Sequence, residues 1–487
     1  MIRILFATSE LYPLVKTGGL ADVSASLPEA LCRLEYDVHI LLPGYPAAME
    51  AARKGSALRK ARIQVDDYSV SLWQTRPPGS AVTLWLVDCP ALFDRPGNPY
   101  QNGRGEDWWD NAQRYELFCR VAAQIALGQA GIQWVPDIVH CNDWQTGLIP
   151  VFLEHHRSRP GTVFTVHNLA YQGLFPHEIF RALGLPDSLW NMHELEFHGQ
   201  LSFIKGGLVF SDRITTVSPR YAREIQTPDY GYGLDGLLRH RRERLSGILN
   251  GIDTGVWNPE DDPYLEFHYG SGHLENKLLC KARLQDQLAL KTGDAPLLGF
   301  IGRMVEQKGL DWLVAVMRPL LERGCQFALL GSGESRYEEP LKALANQWPD
   351  QVSLTLGYDE VLSHRITAGC DLFMMPSRFE PCGLNQMYSL RYGTLPIVHS
   401  IGGLRDTIFD PVDAGLDEAN GFCFQEPTAT SFLSAIERAL GYRKNQKAWR
   451  RLQHNAMSGE YSWQLRAKSY GDLYQQILAE RDDQQPY

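Results

Sequence analysis

Short apolar runs alternate with amphipathic segments along the chain, in an order that is typical of α/β proteins. The first apolar run, at 2–8, is followed by a glycine-containing loop at 16–19, a segment of helical periodicity at 20–34 and a second apolar run at 38–42. This order predicts a β-α-β unit, because parallel strands need a crossover helix. Further short strands are predicted in this half of the chain at 137–140, 163–166 and 213–217.

The second half of the chain repeats this alternation. A predicted strand at 297–301 precedes a helix at 310–321, whose apolar residues follow helical spacing. A strand-like run at 247–253 ends in turn residues before a polar stretch, which indicates a domain boundary. We therefore predict an α/β fold of two doubly wound, Rossmann-like domains, at 1–248 and 249–460. The remaining predicted elements are strands at 327–330, 352–356, 371–375 and 395–398 and a helix at 337–348.

Composition narrows the functional classes. The 487 residues include 47 Lys+Arg and 57 Asp+Glu, for a net charge of −10, and 44% of them are hydrophobic. A folded acidic chain is a poor electrostatic match for nucleic acid or an anionic membrane. The basic cluster at 239–244 permits a nucleic-acid patch, but a solvated helix face fits the acidic chain better. No apolar run approaches the roughly 18 residues of a membrane span.

The cysteines indicate the compartment. There are nine, scattered along the chain and without a C-x-x-C pair. An odd, scattered set is typical of reduced thiols and not of disulfides or a zinc site. The N-terminal apolar run is too short for a signal peptide. We therefore expect a cytoplasmic protein without a zinc site.

Polar residues that are suited to catalysis or ligand binding follow several predicted strands. Arg303 and Lys308 follow the strand at 297–301, where two cations and a helix start can stabilise the charge on a departing diphosphate. Glu380, after a later strand, is suited to binding sugar hydroxyls, and the amides near Gly383 and Leu384 can face a phosphate. The alternatives are a solvated surface pair for the cations and a helix cap for the glutamate.

In the first half, Asp143 and His167 each follow a predicted strand and would lie in the same crevice of a parallel sheet. A hydrolase triad is not favoured, because the chain has no Gly-x-Ser-x-Gly elbow. A cap and a hydrogen-bonded buried histidine are the alternatives. The repeated Gly-Gly-Leu-x-Asp runs, at 18–22 and 402–406, suggest two anion or sugar subsites, or two tight strand-helix turns.

Several runs together resemble the bacterial glycogen synthases and plant starch synthases. They occur in order and cover nearly the whole chain. Together they are far more specific than the Lys-x-Gly-Gly run alone. The runs are KTGGLAD at 16–22, HCNDW at 140–144, VHN at 166–168, NGID at 250–253, GRMVEQKG at 302–309 and RFEPCGL at 378–384.

The resemblance implies a GT-B architecture, with two Rossmann-like domains, an interdomain cleft and a C-terminal segment, 461–487, whose helix crosses back to the N-terminal domain. It implies a retaining glucosyltransferase that moves glucose from ADP-glucose to the non-reducing end of an α-1,4-glucan, elongating glycogen or a malto-oligosaccharide. It implies no metal and no cofactor, with ADP-glucose as the donor substrate.

The resemblance also implies roles for individual residues. The donor diphosphate would contact Arg303 and Lys308, and Glu380 would hold the glucosyl hydroxyls with the backbone near Cys382. Tyr388 stands where many relatives of this architecture carry a second glutamate. The other implied site residues are Lys16, Gly18 and Gly19 on the diphosphate, Asp22 on the nucleotide or acceptor, Asp143, His167 and Asn250 on the sugar and acceptor side, Tyr358 on the adenine, and Gly383 and Leu384 beside Cys382.

Three other functions remain as alternatives. One is a retaining transferase of the same architecture that uses UDP-glucose or forms another linkage. A dinucleotide-dependent oxidoreductase would need a Gly-x-Gly-x-x-Gly turn, but the turn at 331–333 has Arg336 in place of the third glycine. The third is an inactive glucan-binding protein, which is disfavoured because every matched motif residue is present.

Overall fold

The computed structural model describes residues 1–482 and divides the chain into two units. Unit 1 comprises Met1–Gly251 together with the segment that begins at Trp463, and unit 2 comprises Ile252–Ser462. The domain ends predicted from the sequence were 248 and 460. The predicted C-terminal segment, 461–487, includes 483–487, which lie outside the described residues.

Unit 1 contains two sheets and the helices that pack on them. Its strands are β1 (Arg3–Ala7), β2 (Asp37–Pro43), β3 (Leu58–Val65), β4 (Tyr68–Thr75), β5 (Thr83–Asp88), β6 (Ile138–Asn142), β7 (Gly161–Val166), β8 (Leu174–Pro176), β9 (Glu196–Phe197), β10 (Gln200–Ser202), β11 (Arg213–Thr216) and β12 (Leu245–Gly247). Its first helices are α1 (Gly19–Arg33), α2 (Pro46–Lys54), α3 (Pro90–Phe93), α4 (Asn111–Ala126), α5 (Leu148–Leu153), α6 (His177–Ala182), α7 (Phe203–Phe210), α8 (Pro219–Glu224) and α9 (Asp235–His240), with 3-10 turns at Trp144–Thr146, Asp187–Leu189 and Arg242–Arg244.

The main sheet of unit 1 has the strand order β12-β11-β7-β6-β1-β2-β5-β4-β3. Its central strands are parallel, and β6 and β7 are buried along their whole length, as expected for strands covered on both faces. The edge strands β3 and β4 are antiparallel, and a small antiparallel sheet has the order β8-β10-β9. The sequence analysis predicted a parallel sheet only. It also placed a strand-like run at 247–253, whereas β12 spans Leu245–Gly247.

Unit 2 contains a parallel sheet of order β15-β14-β13-β16-β17-β18, which agrees with the predicted doubly wound domain. Its strands are β13 (Leu297–Ile301), β14 (Gln326–Gly331), β15 (Val352–Leu356), β16 (Leu372–Met375), β17 (Leu395–His399) and β18 (Phe422–Phe424). Its helices are α10 (Glu275–Gln287), α11 (Leu310–Leu321), α12 (Ser335–Gln347), α13 (Glu360–Gly369), α14 (Asn385–Arg391), α15 (Gly402–Thr407), α16 (Pro411–Ala414), α17 (Ala429–Arg443) and α18 (Gln446–Met457), with a 3-10 turn at Glu306–Lys308.

The last helix, α19 (Trp463–Asp482), packs into the core of unit 1. Trp463, Tyr470 and Tyr474 are buried against apolar residues of β1, β6 and α1. A side chain at Gly161 of β7 would place its Cβ 2.5 Å from Ile477 of this helix, so the helix approaches the strand closely. The C-terminal segment therefore belongs to the packing of the first unit.

All nine cysteines are free thiols, as the sequence analysis expected. Within residues 1–482, no helix combines the length and apolarity needed to cross a membrane. The same part of the chain holds no group of three or more His, Cys, Asp and Glu side chains arranged for a metal ion.

Candidate active site

The predicted site residues fall into two sets, one in each unit. Both sets lie in loops that follow parallel strands, where α/β proteins commonly bind ligands. The set in unit 1 begins with the loop between β1 and α1. The set in unit 2 begins with the loop between β13 and α11.

A buried carboxylate, Glu10, organises the loop between β1 and α1. Its Oε2 accepts hydrogen bonds from the backbone N–H groups of Thr17 at 2.7 Å and Gly18 at 3.0 Å. Its Oε1 accepts from the Thr17 hydroxyl and from the hydroxyl of Tyr100 at 2.7 Å. Glu10 is only 3% exposed, and these four hydrogen bonds satisfy its buried side-chain oxygens.

The sequence analysis placed ligand contacts at Lys16, Gly18, Gly19 and Asp22. Lys16 Nζ lies 2.9 Å from the Asp22 carboxylate and 5.2 Å from the ring centroid of Tyr12. A Cβ added at Gly18 would meet no atom within 4 Å, so the space beside its backbone is open. Gly19 begins α1, whose N-cap makes no side-chain hydrogen bond. The loop thus presents a cation and an uncapped helix start on its open side.

Asp143 and His167 lie next to each other, as the parallel sheet predicted. The Asp143 carboxylate accepts the backbone N–H of His167 at 2.7 Å. Burial raises the pKa of Asp143 to about 7 despite this hydrogen bond. Asp143 itself has a φ of +57°, a left-handed conformation that costs free energy in residues other than glycine.

The imidazole of His167 is oriented by Asn142. The Asn142 amide nitrogen donates to the Ala7 carbonyl at 3.0 Å, which directs its Oδ1 toward His167 Nε2, 2.9 Å away. Nε2 therefore carries the proton, and Nδ1 remains an acceptor. Burial lowers the pKa of His167 to about 3, so the ring is neutral at neutral pH.

Asn250 lies three positions after the end of β12 and is 5% exposed. Within the described residues, its buried Oδ1 has no hydrogen-bond partner. An unsatisfied buried oxygen costs free energy, which a ligand hydroxyl would recover. This position suits the sugar contact implied for Asn250.

In unit 2, Lys308 and Glu380 form an ion pair between two loops. Lys308 Nζ lies 2.6 Å from Glu380 Oε2, which also accepts the Ser377 hydroxyl at 2.9 Å. Glu380 is 7% exposed. In the described part of the chain, no hydrogen bond ends on Oε1 of Glu380, and that oxygen is not sealed from solvent. The pair therefore offers an ammonium group and one available carboxylate oxygen side by side.

Close backbone contacts hold these two loops. Gly309 has a φ of +66°, and a Cβ there would lie 2.0 Å from the Pro376 carbonyl oxygen. Gly402, at a φ of +48°, would likewise place a Cβ 1.9 Å from the carbonyl oxygen of Glu380. The next residue, Gly403, meets Cys382 in the same way. The second Gly-Gly pair therefore supports the Glu380 loop, whereas the space beside Gly18 is open.

The other predicted residues of unit 2 lie in the loops that follow β13, β15 and β16. Arg303 is exposed in the loop after β13. Cys382 is buried, Gly383 has a φ of +73°, and Leu384 is the N-cap of α14. The side-chain amide of Gln386 donates to the carbonyls of Cys382 and Gly383. Tyr358 follows β15 and is 67% exposed, so one face of its ring is accessible for stacking.

Tyr388, which stands at the position of the second glutamate, has a structural role. Its ring stacks on Trp257 with centroids 3.9 Å apart, and the other face of Trp257 stacks on His364 at 3.8 Å. His364 Nδ1 and the Tyr392 hydroxyl both contact Oδ2 of buried Asp262, at 2.7 and 2.6 Å. Aromatic packing therefore fills this position.

The sequence analysis did not single out Glu10, Tyr100, Asn142, Ser377 or Gln386. Glu10, Asn142 and Gln386 act through residues far away in the sequence or through backbone groups, whereas Ser377 contacts Glu380, three positions later. Glu10, Asn142 and Ser377 each follow a predicted strand, which was the local signal available.

Comparisons with known proteins cover nearly the whole chain. A family model described as the starch synthase catalytic domain matches residues 3–240, and one described as glycosyl transferases group 1 matches residues 282–456. The chain is 68% identical to a glycogen synthase of Marinobacter nauticus, over 99% of both chains. It is 55% identical to a glycogen synthase of Cellvibrio japonicus, over 98% of this chain and 100% of the relative.

Solved structures give the same result for the fold. The catalytic domain of starch synthase IV from Arabidopsis thaliana, bound to ADP and acarbose, superposes with a TM-score of 0.88 at 33% identity, covering 98% of this chain and 99% of that one. A sucrose-phosphate synthase from Thermosynechococcus elongatus superposes with a TM-score of 0.61 at 17% identity, over 99% of this chain and 100% of that one. These likenesses confirm the GT-B fold class.

Proposed function

The chain belongs to the glycogen synthase and starch synthase family, and from this premise we propose that it transfers glucose from ADP-glucose to the non-reducing end of an α-1,4-glucan. The reaction retains the anomeric configuration and elongates glycogen. Family membership rests on both family models and on relatives that match the full length of the chain.

The observation that carries the proposal for the donor side is the ion pair of Lys308 with Glu380. Glu380 is buried and Lys308 is half-buried, and the two residues follow neighbouring parallel strands of unit 2. The Lys308 ammonium group and the Arg303 guanidinium stabilise the negative charge that develops on the diphosphate as the glucosyl bond breaks. The remaining oxygen of Glu380 accepts a sugar hydroxyl and orients the glucosyl group.

In the proposed step, the bond between the anomeric carbon and the diphosphate oxygen breaks, and the acceptor hydroxyl oxygen bonds to the same face of that carbon. The proton of the acceptor hydroxyl moves to the departing phosphate oxygen, so ADP leaves with it. This same-face displacement needs no carboxylate nucleophile. Fixed cations lower its barrier because they interact more strongly with the separated charges than with the intact donor.

Unit 1 supplies the groups assigned to the sugar and the acceptor. The neutral His167 ring offers Nδ1 as an acceptor, and the unsatisfied oxygen of Asn250 accepts a hydrogen bond from a hydroxyl of the sugar or the acceptor. The amides of Thr17 and Gly18 bind Glu10, and the loop that they order presents the Lys16 ammonium group and the start of α1, at Gly19, to the donor phosphates. Tyr358 of unit 2 stacks on the adenine.

We further propose that the reaction uses neither a metal nor a cofactor, because lysine and arginine provide the positive charge that a divalent cation provides in other transferases. Activity should therefore persist in excess chelator. A cytoplasmic location is proposed from the nine free cysteines, which suit a reducing compartment.

The test compares glucosyl incorporation into glycogen from ADP-glucose and UDP-glucose, with the wild type, Glu380→Gln and a matched control, Glu437→Gln. Glu437 is an exposed carboxylate of the same unit that pairs with Arg323. We expect incorporation from ADP-glucose in the wild type and the control, and loss in Glu380→Gln. Preferential use of UDP-glucose would contradict the donor assignment, and full activity of Glu380→Gln would contradict the site.

A further inference from the structure

A cavity of about 570 Å³ lies in unit 1, beside the Lys16 loop. Its walls come from three loops that follow β1, β2 and β5, and they include Lys16, the start of α2 and the segment 93–99. This volume is in the range of small-molecule sites. Of the residues assigned above to the donor and acceptor, only Lys16 lines it.

A buried guanidinium without a counter-charge, that of Arg114, forms part of the wall. Arg114 is 1% exposed, and it donates only to uncharged acceptors: the carbonyls of Leu92 and Pro99, each at 2.8 Å, and the Asn111 side chain at 2.7 Å. Across residues 1–482, no carboxylate lies within 4.0 Å of this guanidinium, and its Nη2 makes no hydrogen bond. Burial of an unpaired charge is costly, so this group favours an anionic ligand.

The start of α2 supplies a second set of donors to the same cavity. Tyr45, Pro46 and Ala47 line the wall, and the N-cap Tyr45 makes no side-chain hydrogen bond. Within the described chain, the backbone N–H of Ala47 has no acceptor. A helix N-terminus with an available amide attracts phosphate groups.

The charges around the cavity favour an anion. Lys16, Arg95 and Arg114 are the cations of the wall, and Asp94 is its carboxylate. Arg95 is already paired with Asp110, at 2.5 Å. Lys16 is likewise paired with Asp22, at 2.9 Å. The three cations of the wall outnumber its one carboxylate, and the Arg114 guanidinium is the one that pairs with no carboxylate among residues 1–482.

We propose that this cavity binds a small phosphomonoester. The phosphate group contacts the Ala47 amide and Nη2 of Arg114, and the rest of the metabolite fills the cavity. Because Lys16 is on the wall and also pairs with Asp22, a bound phosphate competes with that carboxylate for the ammonium group. Occupancy of the cavity thus acts on the loop assigned to the donor.

The test is calorimetric titration of the full-length protein with inorganic phosphate and with glucose 6-phosphate, using Ala47→Asp and Ala47→Asn. Ala47 is exposed in the first turn of α2, where aspartate is compatible with the helix dipole and the fold is retained. We expect binding to weaken at least about tenfold in Ala47→Asp, because its carboxylate repels the ligand, and to change less than about twofold in Ala47→Asn.

Glucose 6-phosphate should bind more tightly than inorganic phosphate if the cavity holds the sugar as well. Equal affinities would limit the site to free phosphate, and they would overturn the assignment of a phosphomonoester. Binding that is absent at millimolar ligand, or that is unchanged in Ala47→Asp, would overturn the site itself. Lys308→Met, which removes a group assigned to the transferase reaction, should bind both phosphate ligands as the wild type does. Failure of the transferase assignment would therefore leave this binding intact, and failure of the present inference would leave the transferase activity intact.

Discussion

Removal of the Glu10 carboxylate should disorder the loop that carries Lys16. In Glu10→Ala, the backbone N–H groups of Thr17 and Gly18 lose an ionised acceptor at 2.7 and 3.0 Å, in a site that is 3% exposed. At about 2 kcal/mol for each hydrogen bond to a charged group, the two amides together account for about 4 kcal/mol of folding free energy. Glu10→Gln keeps one oxygen for these amides, and its NH₂ group can donate to the hydroxyls of Thr17 and Tyr100, so its cost should be about 1 to 2 kcal/mol.

The same change should reduce catalysis through the position of Lys16. Misplacement of a substrate-contacting group by about 1 Å can cost about 100-fold in rate. We therefore expect kcat/KM for ADP-glucose to fall about 100-fold in Glu10→Ala and far less in Glu10→Gln, with a smaller change in the KM for glycogen. Denaturant unfolding and steady-state kinetics measure the two effects, and Tyr100→Phe, which removes one hydroxyl donor and keeps the carboxylate, is the control. Wild-type stability and kcat/KM in Glu10→Ala would refute the role of Glu10.

Three other variants test other parts of the account. Lys308→Met should lower kcat about 100- to 1,000-fold with little change in the KM for glycogen, because the cation acts on the departing diphosphate; equal losses in kcat and in glycogen affinity would contradict this. Gly402→Ala should destabilise the protein by about 3 kcal/mol in thermal unfolding, since its Cβ would meet the Glu380 carbonyl oxygen, and a neutral substitution would contradict that packing. Burial lowers the pKa of His364, but its hydrogen bond to Asp262 and its proximity to Glu360 outweigh this, and the net pKa is raised. The resulting stabilisation is full below the unfolded-state pKa, about 6.5, and is lost as the pH rises through the raised folded-state value. The melting-temperature gap between the wild type and His364→Gln should therefore shrink as the pH rises above about 6.5, and a constant gap would contradict the linkage.

Apolar periodicity predicted the elements whose stability comes from burial. The strands at 297–301 and 352–356 and the helix at 310–321 occur at the predicted residues. Most of the apolar residues of the first strand and the helix are buried, whereas Leu356 at the end of β15 is exposed. The antiparallel strand β3 was missed because most of its residues are exposed or half-buried, so its sequence lacks a clear core face. Helix α4 was missed for the opposite reason, since it buries Arg114 and Glu116, which break its apolar pattern.

The candidate site likewise has features that the local sequence showed and features that only tertiary packing creates. The positions of Arg303, Lys308 and Glu380 after strands were visible in the sequence, but their pairing was not. Lys308 and Glu380 are 72 positions apart and meet only because β13 and β16 are neighbours in the sheet. The support that Gly402 gives to the Glu380 backbone also depends on tertiary packing, and motif reasoning left a ligand subsite and a tight strand-helix turn open for that glycine.

The most direct test of the central claim is the product of a single turnover with ADP-glucose and a malto-oligosaccharide, followed by proton NMR of the new linkage. The account predicts one added glucose in an α-1,4 linkage at the non-reducing end, formed in excess chelator. A β-linked product, a different linkage position or free glucose as the main product would contradict it.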